Sequence, residues 1–288
     1  MSYFYLILQA LIFSFGGLLI KESTAMVSPM MLSFLRFFIG LFLLLIILKG
    51  KDGKVKLTFG GLYIILGGIL KAVHYLGENY GVMKGVSYGG IIVWPVQTLV
   101  VLLISLTSFH EKISLNTLLG TLLCVLGIGL VTWNGIPLET FLGSEAKILL
   151  AFVLAGIGAA GFSFAQKRLV KTMDPAEMNA SMFFYGMLTT VLVLLLTGKP
   201  TTGPATLSGT VSICILGIIT CVGFLLQAYA IRTVPLLIAT IIQSSTVILT
   251  IVWGVLFRGD ALTSYVIAGT ALFLAGILLI NLRGGKEK

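Results

Sequence analysis

Lys71, His74, Tyr75 and Glu78 stand at i, i+3, i+4 and i+7 in a segment made otherwise largely of Gly, Leu, Ile and Val. In a helix that spacing puts all four on one face. An ionisable side chain inside a bilayer costs about 2.5–3.5 kcal/mol on the insertion scale, so it faces water or a partner. Two readings compete. Either the stripe is satisfied by other helices and holds a bundle together, or it lines a wet route that binds a polar solute or passes a proton. Simple solvation of Glu78 near an exit is a third. At 1.5 Å per residue, Glu78 sits about 10 Å along the axis from Lys71. These two charges are spaced to meet the two ends of a zwitterion, and Glu78 with His74 is the one pair placed as a proton relay.

The elements that must position this stripe are membrane helices. The chain has 288 residues, 58% hydrophobic and 10% charged, with a mean hydropathy of +1.10. Soluble domains are nearer 45–50% apolar and 25% charged. Apolar runs predict ten spans, at 3–20, 28–48, 58–83, 86–107, 115–133, 146–166, 177–197, 208–231, 236–256 and 262–281. Backbone in hydrocarbon must satisfy itself, so the expected fold is an all-α integral membrane protein. The first span lacks a basic leader and a small-x-small cleavage site, and so does not read as a signal peptide. With an even number of spans both termini share a side. That side carries twelve Lys and Arg against five on the other, so both termini are expected in the cytoplasm. The net charge of +9 is thereby a matter of topology rather than of nucleic-acid binding.

The sequence repeats itself. Phe13-Ser14-Phe15, Tyr80, Glu111, Gly120-Thr121 and Gly127 recur 149 residues later as Phe162-Ser163-Phe164, Tyr229, Asp260, Gly269-Thr270 and Gly276. The second span recurs at an offset of 146, as Pro29 with Pro175 and Gly40 with Gly186. Five spans per unit is odd, so the second unit enters from the opposite face. Two inverted five-helix repeats are expected, over 1–133 and 146–282, with a connecting loop at 134–145 and a tail at 283–288. Inverted repeats place a substrate site near the midplane between them, the pattern of a secondary transporter.

The offset also extends the candidate pathway. Gln227 corresponds to Glu78, Gln243 to Trp94 and Thr246 to Gln97, while Gln243-Ser244-Ser245-Thr246 is the most polar intramembrane stretch of the second half. A hydrogen-bonded interhelical cluster is the alternative for that stretch. Tyr75, Tyr80, Tyr88, Trp94 and Tyr229 are candidates for an aromatic wall. Pro95 removes a backbone donor and is expected to bend the fourth span, a candidate gate. Arg36 lies deep enough in the second span to need a partner or a cavity. No catalytic constellation is present: there are two histidines, no P-loop, no CxxC and no metal-ligand spacing, so neither an enzyme nor a cofactor or metal is expected.

Phe109-His110-Glu111-Lys112-Ile113-Ser114 and Phe257-Arg258-Gly259-Asp260-Ala261-Leu262-Thr263, each followed by a Gly-rich span, resemble the short turn that closes each half in the drug/metabolite transporter superfamily, EamA-type branch. Trp94-Pro95-Val96 resembles its mid-span proline motif. His110 departs from the turn glycine and Ser244 from a second proline. The resemblance implies a ten-helix metabolite transporter in the cell (cytoplasmic) membrane. It favours export of a small polar or amphipathic solute, with amino acids and their derivatives as the favoured class. Protons are a candidate coupling partner, and the chain would work as a monomer or homodimer. A flippase for a lipid-linked carrier, or a facilitative uniporter or channel, is the alternative.

Overall fold

Hydrocarbon offers no hydrogen bonds, and the chain answers with helices. The computed structural model describes residues 1–53, 55–84, 92–110, 113–133, 135, 137, 139, 146–258 and 263–281; Tyr88, Glu111, Asp260 and the tail lie outside the described residues. In order the helices are α1 (Ser2–Phe13), α2 (Gly16–Thr24), α3 (Pro29–Asp52), α4 (Leu62–Lys84), α5 (Val93–Thr107), α6 (Leu115–Trp133), α7 (Ala146–Leu169), α8 (Pro175–Thr197), α9 (Leu207–Ile231), α10 (Leu236–Gln243), α11 (Thr246–Arg258) and α12 (Ser264–Asn281). One isolated bridge, Val27 to Thr201, is the extent of β pairing among the described residues.

Among the described residues six helical segments are long and apolar enough to cross a membrane: Ser2–Thr24, Pro29–Lys51, Lys147–Leu169, Pro175–Thr197, Leu207–Ile231 and Leu236–Trp253. Shorter apolar helices cover Val93–Thr107, Leu115–Val131 and Ser264–Ile280. The helix α4 is 23 residues long yet stands outside both groups, because it carries the polar stripe.

Local chemistry sets the ends. Ser28 accepts from the Met31 N–H with Pro29 in the first turn, and Asp174 accepts from Ala176 N–H with Pro175 in the first turn. Such caps satisfy donors that would otherwise be orphaned. Left-handed Gly53 and Gly198, with φ of 65° and 64°, end the same two helices.

Two expected single spans are broken. The first divides at Ser14-Phe15 and the ninth at Ser244-Ser245. Neither break contains proline. Instead Ser14 Oγ donates to Leu11 O and Ser244 Oγ to Thr240 O, each hydroxyl bonding back into its own preceding turn. The stretch of the fourth span that precedes Pro95, residues 85–91, lies outside the described residues, and with it the bend expected there. Pro95 is the third residue of α5, in a first turn where proline lacks no needed donor.

The helices pack in pairs, α4 on α7, α6 on α12, α3 on α8 and α1 on α9. Glycine allows the closest of these approaches. A Cβ on Gly158 of α7 would lie 2.5 Å from Leu70 O and 2.8 Å from His74 N, and one on Gly77 of α4 would lie 2.4 Å from Ala151 O. Between α6 and α12, a Cβ on Gly127 would lie 2.5 Å from Gly269 O, and one on Gly276 would lie 2.5 Å from Gly120 O. Small residues let helix backbones touch where no hydrophobic exclusion drives them together.

Gly158→Val must therefore push α7 off α4, at a cost of about 3 kcal/mol or more. Gly129→Ala, with nothing within 4 Å of its added carbon, should leave stability unchanged or slightly raised. Thermal unfolding of the two variants in detergent tests this; equal midpoints would show that the contact is not tight.

Candidate functional site

The close approach of α7 aims the polar face of α4 into a cavity shared by α1, α2, α3, α4, α5, α7, α9, α10 and α11. Its volume is about 70 Å³. That is room for a few water molecules, and less than the roughly 300–1,000 Å³ of ordinary ligand pockets.

The charged half of the site is built on α3 and α4. Arg36 Nη1 donates to Glu78 Oε2 at 3.1 Å and to Asn79 Oδ1 at 3.0 Å. Asn79 is fixed in turn by donating to Ser33 Oγ at 2.8 Å. The Arg36 guanidinium lies 3.5 Å from the centre of the Tyr75 ring, a cation–π contact. Tyr75 is held from its far end by Thr220 Oγ1, 2.8 Å from its hydroxyl. The Arg36 Nε is buried with no acceptor among the described residues.

Lys71 is handled differently. Its Nζ lies 2.8 Å from His74 Nδ1 and is enclosed by three rings, with centres 3.7 Å (Phe224), 4.3 Å (Tyr75) and 5.1 Å (Phe162) away. No carboxylate lies within ion-pair distance of Lys71 among the described residues. The other ring nitrogen of His74 is 3.8 Å from Glu78 Oε2. Lys71, His74, Glu78 and Arg36 thus form one continuous chain of ionisable groups.

Amides make the opposite wall. Gln243 donates to Gln9 Oε1 at 2.8 Å, Gln9 to Gln227 Oε1 at 3.1 Å, and Gln227 to Ser163 Oγ at 2.9 Å. Gln97 reaches the same hydroxyl at 3.4 Å. The broken helices join here. Thr246 donates to Ala10 O and Thr250 to Ser14 O, while Trp253 Nε1 donates to Ser14 Oγ at 2.7 Å.

Access is graded. Lys71 is 1% exposed, whereas the side chains of His74 and Glu78 are 12% and 22% exposed, so the cavity opens toward the C-terminal end of α4. Toward its other end buried Phe37, Phe162, Phe183 and Phe224 seal the bundle. Beyond them Lys51 Nζ meets Asp174 Oδ2 at 2.5 Å, Lys56 Nζ lies 3.7 Å from Glu177 Oε2, and Thr58 donates to Glu177 Oε1 at 2.7 Å. Partial burial pushes the Asp174 carboxyl up, but hydrogen bonds from Lys51 and from the Ala176 and Glu177 backbones outweigh it and hold it below the ordinary carboxylate range. That contribution is present above about pH 4 and is lost as pH falls through the lowered value.

The cavity brings together Lys71, His74, Tyr75, Glu78, Trp94, Gln97, Gln227, Gln243 and Thr246 from the candidates, with Arg36 among them. It leaves out two. Ser244 spends its hydroxyl on Thr240 O and lies 3.4 Å from Thr98 Oγ1, and Pro95 does not line the space. The aromatic wall is also different, built of Phe13, Phe162 and Phe224 beside Tyr75 and Trp94, while Tyr229 is 39% exposed and does not line the cavity. Gln9, Asn79 and Ser163 were missed. Gln9 is a lone amide in an apolar span, and Ser163 stood within the repeated Phe-Ser-Phe, so both signals were present.

The sequence profile of the EamA-like transporter family matches residues 1–133 and 146–282. The chain belongs to that family, within the drug/metabolite transporter superfamily, and is a multi-pass membrane transporter. It is 22% identical to an uncharacterized transporter of Clostridium kluyveri, across 99% of this chain and 94% of that protein. A protein of known crystal structure shares the fold with a TM-score of 0.80 at 15% identity, covering 99% of this chain and 98% of the other.

Arg36→Met leaves the Glu78 carboxylate in the cavity wall without its guanidinium, and the expected cost is about 3–5 kcal/mol. Arg36→Met with Glu78→Met should recover most of that loss. A double-mutant cycle read by thermal unfolding checks it; additive losses would show the two groups to be independent.

Proposed function

We propose that the chain is a secondary active exporter of a small polar or amphipathic metabolite, amino acids or their derivatives being favoured, working by alternating access around this cavity. Ten spans would form two inverted five-helix repeats, 1–133 and 146–282, joined by the loop at 134–145, with both termini and the tail at 283–288 in the cytoplasm. The pairing of α1 with α9 and of α4 with α7 supports this, since the 149 offset exchanges one pair for the other.

The observation that carries the reading is the convergence of Arg36, Lys71, His74 and Glu78 on one cavity inside an otherwise apolar bundle. A purely structural cluster would be satisfied pair by pair. Here Lys71 has no carboxylate within ion-pair distance among the described residues, and the opposite wall is a run of amides. In the proposed site Lys71 takes the carboxylate of the solute, and the amides of Gln9, Gln97, Gln227 and Gln243 take its polar body. A solute ammonium that reaches Glu78 must compete with Arg36, so the simple two-ended clasp of Lys71 and Glu78 is replaced by an exchange of partners at Glu78. His74, between Glu78 and Lys71, is the proposed proton relay. The exposed end of the cavity would face outward and the phenylalanine seal inward.

Glu78→Gln, which keeps an acceptor for Arg36, and Lys71→Met should each abolish efflux while leaving folded protein in the membrane. His74→Gln should flatten the pH dependence of the rate. Efflux of radiolabelled amino acids from loaded proteoliposomes measures all three, and wild-type rates in both Glu78→Gln and Lys71→Met would end the reading.

A further inference from the structure

A second cavity, separate from the central one, lies where α5, α7 and α9 end on the same side of the bundle as the Lys51–Asp174 pair. Its volume is about 460 Å³, and its lining includes Lys167, Arg168, Lys171 and Arg232, with Phe109 and Pro235 as apolar faces. No carboxylate lines it among the described residues. Glu111, two positions past Phe109, lies outside the described residues. Counting it still leaves the group strongly positive.

Three of these cations already have work. Lys167 donates to Ile231 O at 2.6 Å and to Val234 O at 2.9 Å. Arg232 Nε and Nη2 donate to Val170 O at 3.1 Å and Met173 O at 3.2 Å. Arg168 donates to Ser108 O at 3.0 Å and lies 4.8 Å from the centre of the Phe109 ring. Carbonyls at helix ends fix the positions of these side chains but do not cancel their charge. Lys171 makes no ion pair or hydrogen bond among the described residues and is exposed. The result is a pre-positioned set of cationic groups around a space large enough for a phosphate and its ester.

We infer that this cavity is a binding site for a phosphate-type oxyanion, supplied either as an anionic phospholipid headgroup or as a free phosphate. Arg168 and Arg232 offer planar forks matched to oxyanions, and Lys167 and Lys171 offer point charges. Phe109 and Pro235 supply an apolar surface for a glycerol ester. The site is independent of the transported solute, because no residue of the central cavity takes part in it. Basic pockets between helices at the cytoplasmic face are where such headgroups are recognised.

The test uses the full-length protein in phosphatidylcholine nanodiscs, with its unfolding midpoint followed by intrinsic fluorescence. Phosphatidylglycerol in the disc, or inorganic phosphate in the buffer, should raise the midpoint by about 3 °C for a site at roughly ten times its dissociation constant. Lys171→Gln should remove at least half of that shift and Lys171→Glu nearly all of it. Lys199→Gln, at an exposed lysine elsewhere, should remove none. A shift with both additives identifies a general phosphate site, and a shift with phosphatidylglycerol alone identifies a lipid site. No shift with either, or the same shift in Lys171→Glu as in wild type, overturns the inference. Efflux through the central cavity can be intact in every one of these outcomes, so failure here leaves the transport reading untouched.

Discussion

Placing a guanidinium and a carboxylate inside a membrane protein is the constraint around which this bundle is arranged. Each ion taken from water carries an effective penalty of several kcal/mol, and mutual attraction offsets it only with good geometry and further hydrogen bonds. Arg36 and Glu78 meet that condition with help. Asn79 takes a second guanidinium proton, Ser33 fixes Asn79, and the face of Tyr75 lies beneath the positive charge. These groups come from α3 and α4 alone, so the ion pair dictates how those two helices lie at the depth of the cavity. Thr220 of α9 then anchors Tyr75 and extends the same requirement to the second half of the chain. Lys71 is compensated by ring faces, which accept a cation without taking up its formal charge.

That arrangement works only if the opposite side of α4 is bound tightly. Gly77 and Gly81 of α4 and Gly158 and Gly161 of α7 perform this task. Backbone meets backbone along the α4–α7 seam, and His74 sits with its own amide against Gly158. A methyl group at that point would shift the register of the stripe relative to Ser163 and Phe162, which α7 delivers to the same cavity. Packing and polarity on this helix are thus one design, with small residues on one side and ionisable residues on the other.

The all-helical membrane class was legible because its signal is coarse: apolar run length survives errors of a few residues. The stripe on α4 was legible for a related reason, since an ionisable residue in hydrocarbon has few explanations. What failed was partner assignment. Arg36 announced that it needed a partner, yet nothing in its spacing from Glu78, 42 positions away, says that they meet. Helix breaks failed too. Proline is the conspicuous breaker and drew attention to Pro95, whose preceding residues lie outside the described ones, whereas Ser14 and Ser244 break their helices with hydroxyls that bond locally. Serine is common in membrane helices that stay straight, so its presence alone does not mark a break. Ser244 is polar, but its hydroxyl serves the backbone of its own helix and does not line the cavity.

The positions of these two breaks bear on how a cavity of about 70 Å³ could admit a metabolite. Each broken span lines the cavity from both of its pieces, with Gln9 and Gly17 on either side of the first break, and Gln243 and Thr246 on either side of the second. The pieces are also tied to each other across the interface, through Thr246 to Ala10 and Trp253 to Ser14. A continuous helix resists bending because every turn is bonded to the next. At the breaks that ladder is interrupted, so half-helices can tilt with little loss of backbone bonding. In the proposed cycle the part of the amide wall carried on the broken spans, Gln9 and Gln243, is therefore the part that moves. The charged wall, braced by the Arg36–Glu78 pair and the glycine seam, is the part that stays. A solute anchored at Lys71 would then feel the polar wall withdraw from it, and the substrate route would change side without the ion pair ever having to leave its partners.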